Sequence, residues 1–139
     1  MDITTALIIA ATAHKGQYDK GNKPYILHPL AVMNRVHTLE EKIVAILHDV
    51  VEDTSVTLEV LSVQGFTPVM IDAIDRLTKR ESESYMDFIQ RAKENEISRN
   101  VKIADIQENM DLSRLTKPTD KDHERVEKYQ KALHELMVD

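Results

Sequence analysis

The 139-residue chain has no cysteine, which removes disulfide frameworks, thiolate zinc sites and cysteine nucleophiles together. Its three glycines form neither GxGxxG nor GxxxxGKS/T, so a Rossmann or P-loop nucleotide site is not expected. An excess of positive charge is missing too. At a formal charge of −6 the chain lacks the basic face with which general nucleic-acid binders neutralise phosphates. No apolar run reaches the length of a bilayer span: the opening "MDITTALIIAATAHKGQ" is short and preceded by Asp2 rather than by cations. No segment alternates as a strand would. These absences leave a soluble, cytoplasmic protein, long enough for one domain spanning 1–139 with a sizeable core, and no membrane or nucleic-acid partner.

What remains is helical patterning almost throughout. The spacing predicts helices over Ile3 to His14, His28 to Thr38 with Pro29 in the first turn, and from Glu40 through the stretch "AILHDVVEDT". Thr57 caps a short helix closed by Gly65. Thr67 and Pro68 open another, whose apolar face is Val69, Ile71, Ile74 and Leu77. "SESYMDFIQRAKEN" and "EISRNVKIADIQENMDLSRL" supply two more amphipathic helices, and Thr119 caps the last, "DKDHERVEKYQKALHELM". Gly16, Gly21 and Pro24 break the chain between the first two helices into a loop. The fold class is all-α, a compact bundle of seven or eight helices. The six methionines read as core filling, and the charged run before and within the last helix as a solvated face.

One helix breaks its own pattern. Between the apolar residues Ile46, Leu47, Val50 and Val51 stand His48, Asp49, Glu52 and Asp53. Residues three and four apart share a helix face, so these groups crowd negative charge on one side, at a cost in repulsion and desolvation. An isolated His-Asp pair reads as a solvated face, but two further apolar segments repeat the oddity. "PYILHPL" places His28 at a helix entrance, and "VKIADIQENM" places Asp105 and Asn109 four apart. A divalent cation turns such repulsion into coordination. Two imidazoles and two carboxylates suit octahedral Mn²⁺, Fe²⁺ or Co²⁺ with open positions for water, and not a closed structural zinc site. Open positions point to hydrolysis, in which Glu52 and Asp53 place the attacking water and take its proton. Lys102, three before Asp105, either orients that carboxylate or is solvated. His37, His123 and His134 sit in polar surroundings and are expected to face solvent, and His14 is given a structural role.

In order and spacing, "HKGQYDKGNKPYILHPL", "AILHDVVEDT" and "VKIADIQENM" resemble the HD-superfamily hydrolase domain of RelA/SpoT-type enzymes, in particular its small stand-alone alarmone hydrolases. The resemblance implies that His28, His48, Asp49 and Asp105 hold one metal ion, Mn²⁺ in that family. It implies hydrolysis of the 3′-pyrophosphate of a small phosphorylated nucleotide, guanosine tetra- or pentaphosphate, with release of pyrophosphate. Glu52 and Asp53 match the family's catalytic pair, and Lys20, Lys79 and Asn109 match residues that contact the nucleotide. The chain has no counterpart of the family's synthetase region, so degradation alone is expected.

One departure stands out. Where the family loop carries two adjacent basic residues, the first packing on the base, this chain has Asp19 before Lys20. A carboxylate neither stacks like a guanidinium nor attracts phosphate. Adenine alarmones, NADPH or a nucleoside monophosphate therefore stand as alternative substrates, and a non-catalytic nucleotide-binding module as an alternative function. The sequence leaves the oligomeric state open.

Overall fold

The computed structural model describes residues 2–111 and 117–138. These contain nine helices: α1 Ile3–Ala13, α2 Leu27–Arg35, α3 Leu39–Leu47, α4 Val50–Asp53, α5 Leu58–Val63, α6 Pro68–Arg76, α7 Tyr85–Lys93, α8 Glu96–Asn109 and α9 Asp120–Met137. The only extended pairing among the described residues is a single bridge between Tyr18 and Pro24 in the α1–α2 loop. The all-α expectation holds. The helix expected through 112–115 lies outside the described residues.

Seven of the nine helices begin on a side chain that accepts from their own first turn: Asp2, Thr38, Thr57, Thr67, Ser84, Asn95 and Thr119. Each satisfies an amide that the helix itself leaves unpaired, a contribution of about 1 kcal/mol. Thr38 with Glu41 and Thr119 with Asp122 form full capping boxes. The exceptions are α2, which starts at Ile26, and α4, which starts at Asp49. Asp49 is a residue type that caps well, yet its carboxylate makes no capping bond because it is engaged elsewhere.

Helix α3 is the hub. Ile43, Val44, Ala45, Ile46 and Leu47 are all buried, and α1, α2, α6 and α8 pack around them through Ala6, Ala10, Val32, Ile74 and Val101. Cutting back one such residue, Leu47→Ala for instance, costs about 2–5 kcal/mol. A smaller apolar cluster of Ile89, Ile106, Ala132 and Leu136 fastens α9 to α7 and α8.

Three details depart from the sequence reading. The helix begun near Glu40 does not run on to Thr54: the regular ladder stops at Leu47 and one turn resumes at Val50. His48 and Asp49 stay in right-handed helical space, and Asp53 N–H still reaches the Asp49 carbonyl at 3.0 Å, so the break is slight. Val69 is 52% exposed, and Met70 and Ala73 fill the inner face of α6 instead. Met86 and Met137 are exposed, whereas Met70 is core.

Candidate metal centre

The core brings the ligand-type residues together from three places. His28 enters from the first turn of α2, His48 and Asp49 from the break after α3, and Asp105 from the middle of α8. One ligand atom from each of His28, His48 and Asp49 lies within 4.8 Å of the others. Asp105 Oδ1 stands 2.8 Å from His28 Nε2 and 3.4 Å from His48 Nε2, and Asp49 Oδ2 stands 3.8 Å and 3.0 Å from the same two nitrogens.

The break at His48 explains one orientation. With the helical ladder interrupted, Nδ1–H donates to the Ala45 carbonyl at 2.5 Å, which fixes the tautomer and turns Nε2 inward. That Nε2 is buried and makes no well-aligned hydrogen bond, although two carboxylates flank it. A buried polar atom of this kind is costly unless something charged is meant to meet it. The residues fit a divalent cation: two imidazole nitrogens and two carboxylates, of which the orphaned nitrogen is one.

Neighbours hold the carboxylates in turn. The Tyr25 hydroxyl donates to Asp49 Oδ2. Lys102 Nζ lies 2.9 Å from Asp105 Oδ2, and Asn109 Nδ2 donates to Asp105 Oδ1 at 3.2 Å. Charge balance follows. Burial disfavours a charged Asp105, but the Lys102 ammonium, then His48 and His28, outweigh it and hold the carboxyl well below its usual range. Burial likewise opposes the His48 imidazolium, yet Asp49 and Asp105 raise it well above the ordinary imidazole value. The same Nε2 thus attracts a proton or a metal ion, and the two compete. Burial, followed by Asp49, pushes the Tyr25 phenol up, keeping it a hydrogen-bond donor.

The cluster opens into a cavity of about 520 Å³, in the size range of small-ligand sites. Glu52 and Asp53 line it beside Asp49. Burial, then Asp49 and Glu52, lift the Asp53 carboxyl to about 6. Glu52 Oε1 accepts the backbone N–H of Lys79 at 2.7 Å. Of the other residues singled out in the sequence, Lys20 and Asn109 line the cavity. Lys79 does not: its ammonium lies 3.4 Å from the Arg80 carbonyl, and what it offers the site is its amide. Lys102 is the orienting partner of Asp105 rather than a solvated residue. His14 is buried against Tyr25, with Nδ1 2.9 Å from Gln17 Oε1.

Sequence reasoning passed over Tyr18, Tyr25, Arg125 and Tyr129, all of which line the cavity. Tyr25 had a signal, since it precedes His28 by three residues and their rings meet at 5.7 Å. Arg125 and Tyr129 had none, because α9 reads as a charged helix and its docking places one edge over the site.

Comparison with known proteins adds kinship to this geometry. No protein-family model matches the chain. It is 38% identical over 78 residues to the guanosine-3′,5′-bis(diphosphate) 3′-pyrophosphohydrolase of Haemophilus influenzae, a match covering 52% of this chain and 12% of that protein. It is 32% identical over 128 residues to a probable GTP pyrophosphokinase of Mycobacterium leprae, covering 84% and 16%. A solved structure of a metazoan ortholog of SpoT superposes with a TM-score of 0.77 at 23% identity, over 96% of this chain and 84% of that one. An all-α bundle that gathers two histidines and two aspartates from these three places is an HD-type domain. Within that class the chain belongs with the RelA/SpoT-type hydrolase domains. It spans only about an eighth of the length of the first curated relatives that it matches.

Proposed function

We propose that this domain is a metal-dependent phosphohydrolase that removes the 3′-pyrophosphate of a nucleotide of the guanosine tetraphosphate type. The observation that carries this is the buried His48 Nε2, which makes no hydrogen bond in its place between Asp49 and Asp105, in a cluster whose His28, Asp49 and Asp105 line a cavity of about 520 Å³ beside Glu52 and Asp53. The names of the curated relatives supply the substrate class. His28, His48, Asp49 and Asp105 would hold one divalent cation, Mn²⁺ by analogy with the family. Such a cation supplies positive charge for phosphoryl oxygens and lowers the pKa of water.

The protein's own groups divide the remaining work. His48 and Lys102 keep Asp49 and Asp105 ionised, and the Tyr25 hydroxyl orients Asp49. Asp53, with its carboxyl lifted to about 6, takes the water's proton at neutral pH, and Glu52 fixes the water from the other side. In the reaction the water oxygen bonds to the phosphorus that carries the 3′ oxygen, and the P–O3′ bond breaks. The water proton passes to the carboxylate and from there to the departing 3′ oxygen, which leaves as a hydroxyl, with pyrophosphate as the other product. Lys20 and Arg125, both within reach of Asp122 at the cavity rim, would meet the nucleotide's other phosphates.

The test is a panel of guanosine and adenosine 3′-pyrophosphates and NADPH with Mn²⁺-loaded protein, scoring phosphate and pyrophosphate separately. Pyrophosphate from the guanine compound is expected. Orthophosphate alone assigns the domain to the nucleotidases, and binding without turnover to the non-catalytic modules.

A further inference from the structure

Glu52 is an exposed carboxylate on a helix of one turn, yet it does not hang free. Its Oε1 accepts from the Lys79 amide in the turn that follows α6. That turn is itself held by a residue well away from the cavity lining. Arg91, in the middle of α7, sends Nη1–H to the Asp75 carbonyl at 3.2 Å and Nη2–H to the Thr78 carbonyl at 2.9 Å. Its Nε and Nη2 also grip Glu83 at 2.5 and 2.8 Å. Glu83 Oε1 in turn accepts the Arg80 amide at 3.2 Å, and Glu83 N–H donates to the Arg80 carbonyl.

The peptide units on both sides of Lys79 are therefore pinned by one guanidinium: Thr78 directly, and Arg80 through Glu83. The pair is little exposed, with 17% of the Arg91 and 10% of the Glu83 side chain accessible. A planar fork that makes four bonds in one place is the strongest restraint a side chain offers a turn, and lysine cannot copy it. We propose that Arg91 is a positioning residue for Glu52, acting through the 77–83 turn to aim the Lys79 amide at the Glu52 carboxylate. The α6–α7 turn then sets the geometry of the hydrolytic pair without touching substrate. This rests on the hydrolytic role given to Glu52 above.

The experiment compares Arg91→Ala, Glu52→Ala and the double variant in the full chain, well below the unfolding midpoint of every variant. The first readout needs no substrate: hydrogen exchange at the Lys79 amide. Protection is expected to fall in Arg91→Ala to the level of Glu52→Ala. The second is steady-state kinetics with Mn²⁺ and the nucleotide. Arg91→Ala is expected to lower kcat by about tenfold with KM within about twofold, since misplacement acts on the chemical step. In the Glu52→Ala background the same change is expected to cost nothing further, because the group it positions is gone. Glu83→Gln, a milder cut at the same clamp, is expected to move both readouts the same way by less, and serves if Arg91→Ala does not fold. Multiplicative kcat losses in the double variant, or wild-type exchange at Lys79 in Arg91→Ala, overturn the inference. Wild-type protein that turns over no nucleotide sinks the hydrolytic reading instead, and the exchange result still decides whether Arg91 fixes Glu52.

Discussion

A His-Asp pair and a Glu-Asp pair sit a turn apart in this chain, and the structure treats them in opposite ways. Asp49, with its distant partner Asp105, is enclosed by His28, His48, Tyr25 and Lys102, so that each charged group answers another. Glu52 and Asp53 project from a single helical turn at the surface of the cavity, and Glu52 is held by one backbone amide from another segment. Ligands gain from rigidity, because a preset centre loses little freedom when a cation arrives. Groups that move protons gain from a carboxyl near neutrality, which Asp53 has, and from access to water, which both have. The difference separates binding from chemistry along one short stretch of sequence.

The sharpest way to break this contrast is on the enclosed side. Asp105→Asn removes the counter-charge of Lys102, whose side chain is 11% exposed, and the neutral amide leaves an ammonium stranded. Breaking one half of a buried pair costs about 3–5 kcal/mol. Denaturant unfolding is expected to show a loss of that order, together with loss of stoichiometric Mn²⁺ in equilibrium dialysis. A variant as stable as the wild type would show that the Lys102–Asp105 pair is not electrostatically enclosed.

On the open side the expectation is reversed. Glu52→Gln and Asp53→Asn are expected to bind Mn²⁺ like the wild type; Glu52→Gln should unfold within about 0.5 kcal/mol of it, as surface changes do, and Asp53→Asn, which relieves the burial and repulsion that lift that carboxyl, should be no less stable. Turnover should nevertheless fall by about 10²- to 10⁴-fold, the range for removal of a general base. Wild-type turnover in either variant would shift the proton transfer to another group.

Much of this contrast was legible beforehand, and the residues show why. His48, Asp49, Glu52 and Asp53 announce themselves because charged side chains interrupt an apolar period, and that signal is local. His28 and Asp105 lie 77 residues apart, and only their shared oddity, plus a resemblance in motif order, joined them. The break after Leu47 left no trace, since His48 and Asp49 keep helical torsions and the apolar spacing runs on. Lys79 shows a different limit: sequence reports a side chain, whereas the turn uses its amide on Glu52. Arg125 and Tyr129 were invisible because the spacing of α9 encodes which face is apolar and not which cavity its edge will meet.

A smaller effect tests the bracing of the outer region by pH. Glu83 is held down to about 2, chiefly by its hydrogen bonds to Arg91. A carboxyl lowered on folding contributes stability above its unfolded pKa, near 4.5, and loses that contribution as pH falls toward 2. The wild type is therefore expected to lose this increment between about pH 4.5 and 2, measured by urea unfolding at stepped pH. Glu83→Gln should start about 1 kcal/mol lower at pH 7, after allowance for solvent screening, and show a shallower acid limb. Parallel acid limbs would mean that the Arg91–Glu83 pair does not couple to folding.

The least effect is expected at Asp19, where sequence and structure disagree about what a substitution does. Read as a lost basic residue facing the base, Asp19→Arg ought to improve binding of a guanine nucleotide. In the structure Asp19 Oδ1 instead accepts the amides of Gly21 and Lys23, both at 2.9 Å, inside the loop that carries Lys20. The backbone there includes Asn22 at a φ of 61°, a left-handed conformation that such side-chain acceptance helps to hold. Arginine supplies no acceptor, so the loop loosens and Lys20 is presented less often. Asp19→Arg is thus expected to raise KM by about three- to tenfold with kcat unchanged, each tenfold being about 1.4 kcal/mol of lost binding. Asp19→Asn retains an oxygen acceptor and should fall within about twofold of the wild type. A lower KM for a guanine nucleotide in Asp19→Arg would place the side chain against the base after all, and the loop brace would count for little.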